Sequence, residues 1–274
     1  MGNVKERQIH IMEHGLGARG PIEMDWDMLK TYEAKIEADK NDYKLWNARG
    51  ILYFNEDFEK AIESFSIALS LNPFGADQYY NRGRKFLSQD RFPQALADFT
   101  IATRLDVNDN WKWHFRGVAL FFLERYKEAA ESFYTGINVA LDMGHEMIPP
   151  EVDWIWMSYI RMGDYGNAEK CLELVTQDTP VERGDLMYKK RCLLFKGETS
   201  FDDFMRDIEY DIPKRAITEL YGAAQYCYYL KKDPQTAVMC LDKLLAYPTE
   251  HHAFGYKQAL LDYGKWKREA LANT

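Results

Sequence analysis

The chain is predicted to be all-α, a solenoid of about six stacked helical hairpins with capping helices at both ends. Three observations carry that expectation. Phe65, Phe99 and Phe133 are spaced 34 residues apart. Ala61, Ala95 and Ala129 keep the same interval, as do Ala68, Ala102 and Gly136. Gly50, Gly83 and Gly117 follow at 33 and 34 residues. A fixed period in this range marks a linear array of helical hairpins, in which each unit packs only on its neighbours.

Residues 1–24 are the least regular and read as a flexible tail ahead of a repeat domain over 25–274. Asp25 has the character of an N-cap, and a helix follows to about Asp39. The segment from Tyr32 to Asp39 reads as the second helix of a repeat whose first helix is missing, which is how an array is capped. The strong repeats cover 43–141. In the first, Trp46, Gly50 and Tyr53 share one helix and Ala61, Phe65 and Ala68 the next. Pro73 ends the unit, because proline cannot continue a helix interior. The second repeat runs from Ala76 to Asp109 and carries Tyr79, Gly83, Phe86, Ala95, Phe99 and Ala102. The third begins near Asn110 with Trp113, Gly117 and Leu120, then Ala129, Phe133 and Gly136. Small residues where two antiparallel helices cross let the backbones approach, and aromatic residues a turn away fill the wedge between hairpins.

Divergent repeats cover 149–249. The one from Pro149 to Glu182 keeps Tyr159, Gly163-Asp164-Tyr165, Ala168, Leu172 and Pro180, but Trp156 occupies the small first-helix position, so packing there must open or rotate. Five extra residues fall in the connection around Asp142–Pro149. Residues 183–216 lose the small positions, though Phe201, Phe204, Met205 and Ile208 form a short amphipathic helix. The pattern returns with Tyr221, Tyr228, Ala237, Leu241 and Pro248. A C-terminal cap helix over 250–270 carries Leu260, Leu261 and Trp266.

These residues resemble the tetratricopeptide repeat (TPR) family, most clearly over 43–141, and the resemblance implies a TPR-type α-solenoid. The layout of the second half is also weakly similar to that of bacterial lipoprotein adaptors, although no signal peptide or lipid-accepting cysteine is read in this sequence, so the adaptor role and not the periplasmic location is the expectation. In the family, first helices line a concave groove. Mapped onto this sequence, the first repeat contributes Lys44, Asn47, Ile51 and Phe54, and the second Asp77, Tyr80, Asn81, Arg84 and Ser88. The third contributes Trp111, His114, Phe115, Val118, Phe121 and Phe122, and the fourth Asp153, Trp154, Met157 and Arg161. The partner-binding set expected from this is Asn47, Tyr80, Asn81, Arg84, Trp111, His114, Phe115, Phe121, Phe122, Trp154, Met157 and Arg161. Aromatic anchors beside Arg and Asn are residue types that dominate protein interfaces. Chaperone-binding members grip a C-terminal carboxylate with Lys, Asn and Arg from three repeats. Here only Asn81 matches, and Trp111 and Phe115 stand where the third-repeat cations belong. Arg49, Arg82 and Arg116 each precede the repeat glycine. They read as structural residues, with stems along the packing and heads in water.

Composition narrows the function classes. The net charge of −8 over 274 residues and a pI near 5.4 argue against nucleic acid as the main partner, because phosphate binding needs a cationic surface. No apolar run approaches the roughly 18 residues that span a bilayer. The four cysteines, Cys171, Cys192, Cys227 and Cys240, lack metal or redox spacing and read as reduced core thiols of a cytoplasmic protein. Two catalytic patterns are formal matches only. His10 to His14 reads H-x-x-E-H, which needs a third ligand and a protease domain. Gly15 to Gly20 reads G-x-G-x-x-G, which needs a strand before it and a βαβ unit around it. The expectation is therefore a non-catalytic adaptor or scaffold with a protein or peptide partner, no cofactor and no metal. The alternatives are a small-ligand binder or enzyme with its pocket around Trp111, His114 and Trp154, and a self-associating structural subunit.

Overall fold

The computed structural model describes residues 4–14, 23–144, 148–247 and 253–272. Among them all regular structure is helical. The chain divides into two compact units, Met1–Val139 and Ala140–Thr274. The G-x-G-x-x-G segment at 15–20 lies outside the described residues, as do His145, Pro248, His251, His252 and the side chains of Glu13 and His14.

The first unit opens with α1 (Val4–His14) and α2 (Trp26–Ala38). Asp25 caps α2 as its sequence suggests, accepting from the Met28 backbone N–H at 2.9 Å. Three hairpins follow: α3 (Tyr43–Leu52) with α4 (Phe58–Leu71), α5 (Ala76–Ser88) with α6 (Phe92–Leu105), and α7 (Asn110–Phe122) with α8 (Tyr126–Asp142). Asp42, Asp57 and Asp109 cap α3, α4 and α7 through their side chains, satisfying backbone donors that a helix start leaves open. The repeat glycines account for the helix crossings. A Cβ built on Gly50 would lie 2.6 Å from Phe65 Cε1, on Gly83 2.8 Å from Phe99 Cε1, and on Gly117 2.6 Å from Phe133 Cε1. Each phenylalanine is fully buried, so each hairpin closes by a ring pressed onto bare backbone.

The repeat arginines are held by the packing. Arg49 donates to Glu63 and Ser64 at 3.0 and 2.7 Å. Arg82 clasps Asp98 with two bonds of 2.8 Å and reaches Ser66 at 3.0 Å. Arg116 donates to Ser132 at 3.2 Å. One sequence expectation is changed. Residues 4–14, expected as part of a flexible tail, form a helix that buries Ile11 and Met12 with Leu29, Ile51, Leu52 and Phe54. The apolar pair Ile11-Met12 supplies the face that a polar composition concealed.

The second unit contains α9 (Pro149–Met162), α10 (Tyr165–Leu172), α11 (Leu186–Lys196), α12 (Phe201–Arg206), α13 (Pro213–Gln225), α14 (Pro234–Leu245) and α15 (Phe254–Ala272). A π-helical turn at Tyr226–Lys231 continues α13. Trp156, which replaces the small residue, is buried and stacks flat on Phe195 of α11, with centroids 3.8 Å apart and planes at 9°. The first helix of this repeat therefore packs directly on the next first-type helix. All four cysteines are buried and free.

Candidate functional site

The expected site residues fall into two groups, one in each unit. In the first unit, α5 and α7 bring Tyr80, Arg84, Trp111, His114 and Phe115 together. The start of α7 is fixed by charge. Lys112 is fully buried, and its ammonium lies 2.9, 2.8 and 2.5 Å from Asp77, Asp106 and Asp109. Those carboxylates raise the lysine's pKa even though burial opposes the charge. This knot ties the first turn of α7 to α5 and sets Trp111 beside it, where the side chain is 38% exposed.

Phe115, one turn further on, meets Tyr80 edge-on at 5.6 Å and Phe99 at 5.8 Å. His114 is buried against Trp111, Phe115 and Phe133, at 5.8, 5.2 and 5.8 Å between centroids. The Arg84 guanidinium rests over Phe54, Tyr80 and Phe115 at 4.6, 5.4 and 5.4 Å. Ring quadrupoles attract such a cation by about 0.5–2 kcal/mol, so the guanidinium is held in place before any partner arrives. The surface is thus a partly exposed indole beside a ring, Phe115, at 6.4 Å, over which an oriented cation lies. Asn47, Tyr80 and Asn81 are buried. Phe121 is buried against Phe122 and Tyr126, and Phe122 stacks on Phe92 at 4.8 Å. These two rings close the hairpin ends.

Trp154, Met157 and Arg161 lie in the second unit, where Trp154 and Met157 are buried and Arg161 is partly buried. Trp154 is 3% exposed and meets Phe254 edge-on at 5.9 Å. The Met157 sulfur accepts from Arg191 at 3.5 Å. Arg161 binds both oxygens of Asp262 at 2.7 and 2.6 Å and donates to the Tyr221 hydroxyl at 2.8 Å. The pocket imagined around Trp111, His114 and Trp154 therefore draws on residues of both units.

Several residues carry the local electrostatics without having stood out in the sequence. Lys85 is buried, donates to the Phe54 carbonyl at 2.7 Å, and lies 3.5 Å over the Phe54 ring. Burial, assisted by neighbouring Arg84, pushes its amine down to about 7. Asp153 faces Arg191 at 3.0 Å with both side chains buried, and burial pushes its carboxyl up to about 6 against the pull of that guanidinium. A cleft of about 440 Å³ lined by Glu33, Glu37, Trp46, Arg49 and Glu63 lies on α2–α4, apart from the aromatic cluster. Among the described residues no group of three His, Cys, Asp or Glu side chains is arranged to hold a metal ion. No described helix is long and apolar enough to cross a membrane.

No protein-family profile matches the chain. It is similar to small glutamine-rich tetratricopeptide repeat-containing protein 2 of Mycosarcoma maydis, 28% identical over 115 residues, covering 42% of this chain and 30% of that protein. It is also similar to serine/threonine-protein phosphatase 5 of Homo sapiens, 32% identical over 88 residues, covering 32% of this chain and 18% of that protein. The chain thus spans less than a third of the length of these relatives. Among solved structures, the crystal structure of MamA protein is similar with a TM-score of 0.52 and 17% identity, covering 73% of this chain and 97% of that one. The resemblance drawn from the repeat residues holds: the fold is that of a tetratricopeptide-repeat α-solenoid.

Proposed function

We propose that the chain is a non-catalytic protein-interaction module, an adaptor or scaffold, that holds a peptide or protein segment on the first-helix face of its first unit. The observation that supports this best is Trp111. It is large, 38% exposed, and fixed at its base by the Lys112 knot, with Phe115 beside it at 6.4 Å and an oriented Arg84 over that ring. An aromatic anchor next to an arginine, on a support that costs little to order, suits a central interface contact. Tyr80, Asn81, His114 and Phe115 form the bed of the surface, and Asn47 lies on the preceding first helix. Phe121 and Phe122 brace the hairpin, and Trp154, Met157 and Arg161 enter as supports of the second unit rather than as contacts.

The cytoplasm is the proposed compartment, in keeping with four buried cysteines that form no disulfide. The partner class is protein. A photo-crosslinking amino acid placed at position 111 is expected to give a discrete protein adduct in cells, while the same group at Met239, exposed on the second unit, gives none of that size. Equal adducts at both positions, or none at 111, would count against the assignment.

A further inference from the structure

The second unit contains a cleft where helix geometry departs from the repeat design. The end of α13 widens into the π-helical turn Tyr226–Lys231, and Lys232 follows it with φ 55°. Hydrogen bonding from i to i+5 is rare, occurs mostly as single turns, and is frequent at functional sites. A non-glycine residue in the left-handed region is uncommon as well. The two irregularities are adjacent, and residues from both line one cleft of about 400 Å³. That volume falls in the range of small-molecule sites.

The walls are aromatic and braced. Tyr165, Tyr228 and Tyr229 line the cleft. Tyr228 stacks on the buried Trp266, with centroids 4.2 Å apart and planes at 12°, and Tyr229 meets the same indole edge-on at 5.8 Å. Tyr165, at the start of α10, is 46% exposed.

The charged groups of the lining are Lys232, Lys265 and Glu269. Lys232 donates to the Tyr165 hydroxyl at 3.0 Å. An ammonium only donates, so the hydroxyl accepts there and keeps its own proton for a ligand. Glu269 is already engaged, accepting from the Tyr228 hydroxyl at 2.6 Å. Lys265 is exposed and makes no hydrogen bond or ion pair among the described residues. Two ammonium groups against one carboxylate leave the cleft with a single positive charge, in a chain whose total is −8.

We propose that this cleft binds a small planar aromatic carboxylate, its ring against the tyrosines and its carboxylate accepting from Lys265 and the Tyr165 hydroxyl. One uncompensated positive charge matches a monoanion better than a dianionic phosphate. Three tyrosine rings favour a flat partner, which stacks or meets them edge-on. The site is a small-ligand function of the second unit, additional to protein binding at Trp111.

The test titrates the full-length chain calorimetrically with 2-naphthoate, with its neutral counterpart 2-naphthamide, and with the dianionic 2-naphthyl phosphate. Saturable one-to-one binding is expected for the naphthoate, and about tenfold weaker binding for the other two. Lys265→Met and Tyr165→Phe should each weaken naphthoate binding by about tenfold, the scale of one hydrogen bond to a charged group, with the melting temperature unchanged. Lys30→Met, at an exposed lysine of the first unit, should leave binding as it was. Absence of saturable naphthoate binding would overturn the proposal, as would equal binding of the amide, tighter binding of the phosphate, or an unaffected Lys265→Met variant. Tighter binding of an acetylated, amidated Glu-Tyr dipeptide would overturn it too, because the carboxylate would then be one carried by a protein. None of these results bears on the Trp111 surface and its crosslinking test.

Discussion

In both units a helical glycine makes room for a bulky side chain from a neighbouring helix, but the side chain differs. In the first unit it is a phenylalanine three times over, from Gly50 to Gly117. In the second, a Cβ on Gly222 would lie 2.6 Å from Arg191 Cγ, so a buried arginine fills the space that a ring fills elsewhere. The ring needs only contact. The arginine needs a countercharge, and Asp153 supplies it at 3.0 Å without hydrogen-bond alignment on the Asp153 oxygens or Arg191 Nε. Its terminal nitrogen also reaches Gln225 at 2.7 Å. One region is thus joined by shape and the other by shape and charge, and the two should respond differently to the same kinds of change.

The largest separation is expected from Arg191→Met. It leaves Asp153 buried and uncompensated, a loss of about 3–5 kcal/mol, read as an early unfolding step confined to the second unit. Arg191→Met with Asp153→Leu should recover most of that loss, because two matched apolar groups need no countercharge. A double variant as unstable as the single one would show that the pair contributes more than mutual neutralisation.

Gly83→Leu comes next. It drives a side chain into Phe99 and should cost about 1–3 kcal/mol by overpacking, with the first unit unfolding first in denaturant. An unchanged midpoint would break the glycine–phenylalanine account.

Titration sharpens the contrast, because the two units carry shifts of opposite sign. Lys85 is near 7 in the fold against an ordinary 10.5. The unfolded chain binds the extra proton between those values, so the lysine's contribution to first-unit stability grows as pH rises from 7 to 10.5. Asp153 is near 6 against an ordinary 3.8. The folded chain holds the extra proton there, so its contribution to second-unit stability is full below 3.8 and is lost as pH rises through 6. Each slope is at most about 1.4 kcal/mol per pH unit. Comparing wild type with Lys85→Met, and with Asp153→Asn, across these windows should give differences of opposite slope.

The smallest effect is expected at Glu124. It adopts φ 59° between α7 and α8, and Asp90 does the same between α5 and α6. The second unit places Gly144, Gly163 and Gly197 in this conformation, and Lys232 as well. A non-glycine residue there is strained by about 1–2 kcal/mol, while glycine loses more entropy on folding. Glu124→Gly should therefore shift stability by less than about 1 kcal/mol, upward if strain outweighs entropy.

The first unit was legible in the sequence because its packing repeats. Three glycines and three phenylalanines at one spacing announce the crossings, and Asp25 announces the cap of α2. The second unit was legible only as helices. Nothing in local spacing links Arg191 to Asp153, 38 positions earlier in the chain, or ties Arg161 to Asp262. The candidate site divides in the same way. The mapping brought Trp111, Phe115 and Arg84 to one surface, because neighbouring repeats place equivalent residues side by side. It could not tell that Trp154 is interior, because the partner ring, Phe254, lies a hundred positions away. Helix α1 escaped notice because its buried apolar pair, Ile11 and Met12, is adjacent in sequence and leaves almost no periodic signal.

The most direct test compares two tryptophans that the repeat mapping assigned to the same inner face. Melting temperature and capture of the crosslinked partner are measured for Trp111→Ala and Trp154→Ala. Trp111→Ala should melt close to wild type and lose the partner, since removal of an interface anchor typically costs about 2 kcal/mol or more of binding. Trp154→Ala should lose about 3–5 kcal/mol of stability, and the first unit should still hold the partner under conditions where it remains folded. If Trp111→Ala instead unfolds the first unit, or retains full capture, the exposed indole is not the recognition anchor and the proposed surface is wrong.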